Sequence, residues 1–263
     1  MKDPAVTTVY YDDERNDDFS GVTRPPFEIP ADFDYAPRSP LRRALAFLVY
    51  RCVMTPFVFF YMKIKFGYRV VRRAKLPEKG QGFFLYANHT LLAGDAFSPT
   101  LAVFPKKVRV IVSPDNVALP STRQFILLCG ALPLPTSLAG MRPFLSGLGT
   151  YLGQGCCVTL YPEAHIWPYC AAIRDFPDDS FRYPVRFGVP AYAATTTFSR
   201  RRFFRTPRVT VYLDGPFYPD GENRRQAQKK LRDAVHGAMT ERAKNSTWSP
   251  IRYEKRTQGE ETT

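Results

Sequence analysis

The segment Phe83-Phe84-Leu85-Tyr86-Ala87 constrains the fold of this chain more than any other. Its apolar residues run without a break, lacking the alternation of a strand with one wet face, so it reads as a strand covered on both faces. Such a strand lies inside a largely parallel sheet with helices on either side. Further apolar runs at Tyr68–Val71, Val108–Val112, Ala131–Leu134, Cys157–Tyr161, Ala191–Thr197 and Val209–Leu213 supply its neighbours. Helical stretches fall between them at Phe125–Cys129 and Pro143–Leu152. The helix expected over 222–244 carries Leu231, Val235, Ala238 and Met239 on one face. Alternation of this kind predicts an α/β domain over residues 67–250, with a mostly parallel central sheet flanked by helices.

In open α/β sheets, ligands and reactive groups collect beyond the carboxyl ends of the strands. Asn88 and His89 stand directly after the apolar run, Gly94 can bend the chain, and Asp95 heads the next apolar segment. A carboxylate at that distance can orient an imidazole and stabilise its charged form. The same pair also serves as a purely structural cap, and the pair alone does not choose. Glu163 and His165 follow the strand 157–161 in Tyr161-Pro162-Glu163-Ala164-His165, where a charged group needs a polar partner or a ligand. Arg182 and Arg186 precede the turn Gly188-Val189-Pro190, and Arg142 and Thr136 follow Gly130. Each has a plain alternative as a solvated or surface-paired residue.

Ahead of the domain, residues 1–38 hold nine acids and four bases, leaving the rest of the chain 33 bases and 15 acids. The prolines and acids of 1–38 predict an extended arm, and its aromatics predict that the arm wraps the basic body. A body of that charge favours anionic partners, a phospholipid surface among them. Residues 39–66 are apolar between Arg42-Arg43 and Lys63 and Lys65, with Arg51 near the middle and Pro56 beyond it. Arg51 makes a full span costly and Pro56 disfavours one helix, so two shorter amphipathic helices docked in the membrane interface are expected. A pair of buried core helices is the alternative. Residues 251–263 read as a tail. The five cysteines (Cys52, Cys129, Cys156, Cys157, Cys170) show no metal-binding spacing and read as reduced packing residues of a cytosolic compartment. The acidic, polar start does not read as a signal peptide.

Taken together, Asn88-His89 and Asp95, then Tyr161-Pro162-Glu163, then Phe181-Arg182 and Val189-Pro190, follow an order found in one family. Over roughly residues 65–215 the chain resembles the glycerolipid acyltransferases of the 1-acylglycerol-3-phosphate (lysophosphatidic acid) acyltransferase type. It departs from them in three places. The family separates its histidine and aspartate by four residues, whereas five lie between His89 and Asp95. Ala164-His165-Ile166 stands where the family has Gly-Thr-Arg, and Thr136 stands where its second motif, begun here by Gly130, ends in arginine.

The resemblance implies His89 as general base and Asp95 as the group that holds its tautomer. It implies Asn88, Glu163, Arg182, Arg142 and Arg174 around a lysophospholipid acceptor, with Arg182 on the phosphate. The acyl donor would be an acyl-CoA or acyl-carrier-protein thioester, with no cofactor or metal. The expected setting is an anionic membrane surface, on its cytoplasmic face and bound peripherally or monotopically, without nucleic acid. Two other enzymes remain open on the residues alone: a metal-dependent hydrolase using His89, Asp95, Glu163 and His165, and a cysteine acyl-enzyme through Cys170 near His165. A non-catalytic basic lipid-binding module is the third alternative.

Overall fold

The structure is a computed structural model, and it describes residues 6–92 and 94–256. The end of the expected tail, 257–263, and the first five residues of the arm lie outside the described residues. The core is a seven-stranded sheet in the order β2-β8-β7-β3-β6-β4-β5. Its members are β2 (Arg69–Arg72), β3 (Phe83–Ala87), β4 (Val108–Val112), β5 (Ala131–Pro133), β6 (Cys157–Leu160), β7 (Ala191–Ser199) and β8 (Arg208–Phe217). Only the β7–β8 pairing is antiparallel; the others are parallel, as expected for strands joined by helices. β3 sits between β6 and β7 and is buried at every position.

Alternate residues of β3 serve two cores. Phe84 and Tyr86 join Phe144, Leu148, Phe181, Leu231 and Val235, which come from α5 (Leu138–Gly153), the Asp179–Phe181 turn and α7 (Arg224–Ala243). Phe83 and Leu85 join Val58, Met62, Phe66 and Ala102 on the other face. Cys156 and Cys157 divide in the same way, one to each core, and all five cysteines are free thiols. Shorter helices of the domain are α3 (Ser98–Ala102), α4 (Pro120–Leu128) and α6 (Arg182–Phe187).

The segment 39–66 is one helical rod, not two helices. It runs from Pro40 to Phe66, which at about 1.5 Å per residue is roughly 40 Å. Within it, α1 (Pro40–Phe47) passes through a π-helical stretch (Leu48–Met54) into α2 (Thr55–Phe66). The π stretch explains why Pro56 does not break the rod. Thr55 N–H reaches back five residues to Tyr50 O, with the Thr55 hydroxyl on the same oxygen at 2.7 Å, and Pro56 falls in the first turn of α2, where its missing N–H interrupts no α-helical bond. Tyr50, Val58, Met62 and Phe66 form a buried seam against the domain. Arg51 turns inward too, donating to Pro105 O and lying over Phe104 at 5.1 Å. The rest of the rod leaves Leu41, Leu48, Phe57, Phe60 and Ile64 more than half exposed. By length and composition it could cross a membrane.

The arm is more structured than an extended strap. Thr7–Tyr11 forms β1, paired in parallel with β9 (Ile251–Lys255), so the expected tail also holds a strand. The signal was weak because each edge is only five residues long and gains its stability from the other end of the chain. The arm does wrap the body. Ile29 and Tyr35 are buried in the first core, Tyr35 O accepts from Tyr151 OH at 2.9 Å, and Thr136 Oγ1 accepts from Ile29 N–H at 3.0 Å.

Gly147 of α5 makes this seat possible, since a Cβ there would come within 2.5 Å of Tyr35 Cβ. Gly147→Ala is therefore expected to lower stability by about 1–3 kcal/mol despite alanine's better helix propensity. Gly153→Ala, which meets nothing within 4 Å, should not. Urea denaturation of the two variants checks the contrast.

Candidate active site

The site is built where the parallel strands β3 and β6 end. Past Ala87 the chain leaves the sheet, and Asn88 pins the exit to β7: its Nδ2 donates to Thr196 O at 3.1 Å and its Oδ1 accepts from Thr196 N at 2.7 Å. Asn88 is thereby consumed by the backbone and sets where His89 begins.

His89 and Asp95 meet. His89 Nδ1 lies 2.8 Å from Asp95 Oδ2, and the same oxygen accepts from Thr90 N–H and Leu91 N–H, each at 2.8 Å. Asp95 does not cap the following helix, which starts only at Ser98. Instead the chain turns back on itself, with Asp95 N–H donating to Leu91 O at 2.9 Å. This turn back to Leu91 brings Asp95 to His89 across the longer spacing. Burial pushes the Asp95 carboxyl above its ordinary value, against the pull of His89 and of the Leu91 and Thr90 amides. The His89 side chain is 24% exposed and that of Asp95 3%. The aspartate thus sits behind the ring and the ring faces outward.

Tyr161 completes the seat. Its ring stacks on His89 with centroids 4.5 Å apart and planes 27° from parallel, and its hydroxyl donates to Asp95 O. It is the first residue beyond β6, and the β3–β6 pairing places it there. The residue was visible in the Tyr-Pro-Glu segment, but the contact follows from strand order, which spacing along the chain does not reveal.

Glu163 lies behind the histidine backbone. Its Oε2 accepts from His89 N–H at 3.0 Å and from Arg174 Nη2 at 3.2 Å, while Oε1 accepts from Arg174 N–H at 3.1 Å. Both side chains are 3% exposed. Arg174 also donates to His165 O and stacks over Trp167 at 4.7 Å. Burial raises the Glu163 carboxyl, and Arg174 is the largest influence pulling it back down. Glu163 and Arg174 therefore face each other in the interior rather than an open cleft.

The arm reaches this pair. Glu14 O accepts from Arg174 Nη1 at 3.4 Å, Asp17 O accepts from Trp167 Nε1 at 2.8 Å, and His165 Nδ1 lies 3.6 Å from Asp18 Oδ2.

The other basic residues are not gathered here. Arg142 is exposed on α5 and Arg182 is exposed at the start of α6, where its Nη2 donates to Tyr183 OH at 3.3 Å. Both helices cover the sheet face opposite α2. Among the described residues no group of three or more His, Cys, Asp or Glu side chains converges as a metal site requires. Cys170 is buried and its thiol is pushed up to about 11 by that burial, which makes it a poor nucleophile.

No protein-family model matches this sequence, and no curated protein sequence matches it. A solved structure does. The chain is similar to the 1-acyl-sn-glycerophosphate (LPA) acyltransferase PlsC from Thermotoga maritima, at a TM-score of 0.50 and 18% identity, over 80% of this chain and 98% of that one. The likeness is one of fold. The α/β architecture with a mostly parallel sheet flanked by helices, preceded by a long apolar helix, is the one expected from the sequence.

Proposed function

We propose that the protein is an acyltransferase that moves a fatty acyl group from a thioester to the free hydroxyl of a lysophospholipid. The observation that carries this reading is the His89–Asp95 pair at the carboxyl end of the central strand, backed by a buried carboxylate and open on one side. The shared fold with an LPA acyltransferase supports it.

With Nδ1 held by Asp95, Nε2 is the nitrogen left to take a proton. His89 removes the proton of the acceptor hydroxyl as its oxygen attacks the thioester carbonyl. The C–S bond then breaks, and His89 returns the proton to the departing thiolate. Asp95 stabilises the imidazolium between these steps, as in other carboxylate–histidine pairs. Glu163 and Arg174 act as positioning residues, holding the His89 backbone. The donor is acyl-CoA or acyl-carrier protein, and no cofactor takes part.

Arg182 and Arg142, the acceptor ligands that the resemblance implies, stand exposed on α6 and α5 over the sheet face opposite α2 and are not assigned to the acceptor phosphate. Thr136, in the place of the family's second-motif arginine, is bonded to the arm. The setting is the cytoplasmic membrane face, with the exposed apolar side of α1–α2 in the lipid interface and Arg43 and Lys65 at the headgroups.

The test offers both donor classes to lysophospholipids with different headgroups. Transfer to at least one, with no release of free fatty acid in step, is expected. Hydrolysis without transfer would remove the reading. Arg182→Ala, on α6 and apart from the His89 pair, should leave the apparent KM for the acceptor unchanged. A KM raised about tenfold, the loss of one charge-assisted contact, would instead put Arg182 on the acceptor phosphate.

A further inference from the structure

Residues 200–207, Arg-Arg-Arg-Phe-Phe-Arg-Thr-Pro, form the tip between β7 and β8. β7 pairs with the end of β3 at Ala194↔Ala87 and then runs on to Ser199, so the tip projects from the same end of the sheet as His89. Phe203 is 80% exposed and Phe204 55%. Arginines attend both rings: Arg201 lies 3.5 Å from the Phe204 centroid and Arg202 5.3 Å from that of Phe203. Arg202 and Arg205 are exposed beside them. A hairpin needs neither bulky exposed ring, since its turn is fixed by the strands.

The tip is tied to the apolar rod. Arg201 Nη1 donates to Lys65 O at 2.7 Å and Thr206 Oγ1 donates to the same oxygen at 2.5 Å. These bonds cap a carbonyl that the last turn of α2 leaves without a helical partner. Phe203 and Phe204 thus stand next to the end of a helix whose Phe60 and Ile64 are 60% and 70% exposed. Aromatic rings flanked by arginines match an anionic bilayer: rings enter the acyl boundary and guanidinium groups meet phosphates.

We infer that the β7–β8 tip is a second membrane anchor, inserting Phe203 and Phe204 into an anionic lipid surface beside α2. The inference rests on the reading of α1–α2 as a docking helix and adds an independent contact. Two anchors at the His89 end fix the molecule's tilt and bring the site to the bilayer, where a lysophospholipid lies.

The test uses the full chain with phosphatidylcholine–phosphatidylglycerol vesicles brominated on their acyl chains. Phe203→Trp and Phe60→Trp should each show emission quenched beyond that of the parent. Quenching of Phe60→Trp alone would overturn the second anchor and leave the docking helix standing. Quenching of neither would overturn both. In a binding assay, Arg202→Gln with Arg205→Gln should weaken affinity for these vesicles roughly 30-fold and leave binding to pure phosphatidylcholine unchanged. Unchanged affinity for the anionic vesicles would also overturn the inference.

Discussion

His89→Ala is expected to fold normally and to lose acyl transfer by a factor of about 10²–10⁴, the usual contribution of a positioned general base. The variant should fold because Tyr161, which loses its stack on the ring, is still held by its hydroxyl on Asp95 O. Asp95 keeps the Thr90 and Leu91 amides as partners when the imidazole goes, so no buried carboxylate is left bare. One lost hydrogen bond costs about 1 kcal/mol. Circular dichroism and a thermal melt should therefore match the parent within a few degrees while turnover collapses. Because a base removed from the transition state lowers kcat rather than substrate affinity, the apparent KM should hold.

The second large effect is on stability. Arg174→Met leaves the Glu163 carboxylate buried without its cation, and breaking a buried pair from one side costs about 3–5 kcal/mol. The same change frees Trp167 and the Glu14 carbonyl from their guanidinium contacts, so the arm should loosen as well. Combining Arg174→Met with Glu163→Gln removes both charges together, and most of the loss should return. Denaturation midpoints of the single and double variants measure the recovery. A positioning role predicts more: the double variant should regain stability while kcat stays low, because glutamine offers His89 N–H a weaker acceptor. Recovery of both would make the pair a structural element only.

Much of this architecture was legible in the chain. The unbroken apolar run at Phe83–Ala87 marked the central strand because burial on both faces leaves no polar position, and the site could then be sought past its end. The pairing of His89 with Asp95 was readable for the same reason, as both sit in one loop. Other features were hidden by chain distance or by local geometry. The β1–β9 pairing joins opposite ends of the sequence. Tyr161 reaches His89 only because β6 neighbours β3.

Pro56 suggests a break because proline inside an α-helix removes a bond, but here it stands in the first turn of α2, directly after the π stretch. Arg174 read as a residue around the acceptor because sequence shows a charge and not its burial. The arginines of the β7–β8 tip do not stand out in a chain this basic, and only strand order places the tip at the His89 end.

The most direct measurement is transfer of a labelled acyl chain from acyl-CoA or acyl-carrier protein to 1-acylglycerol-3-phosphate and other lysophospholipids, by wild type and His89→Ala on the same vesicles. Labelled diacyl phospholipid from the wild type alone, with both proteins equally folded and equally bound, is the expected result. Equal product from the two proteins, or no transfer by the wild type from either donor class to any acceptor, would contradict it.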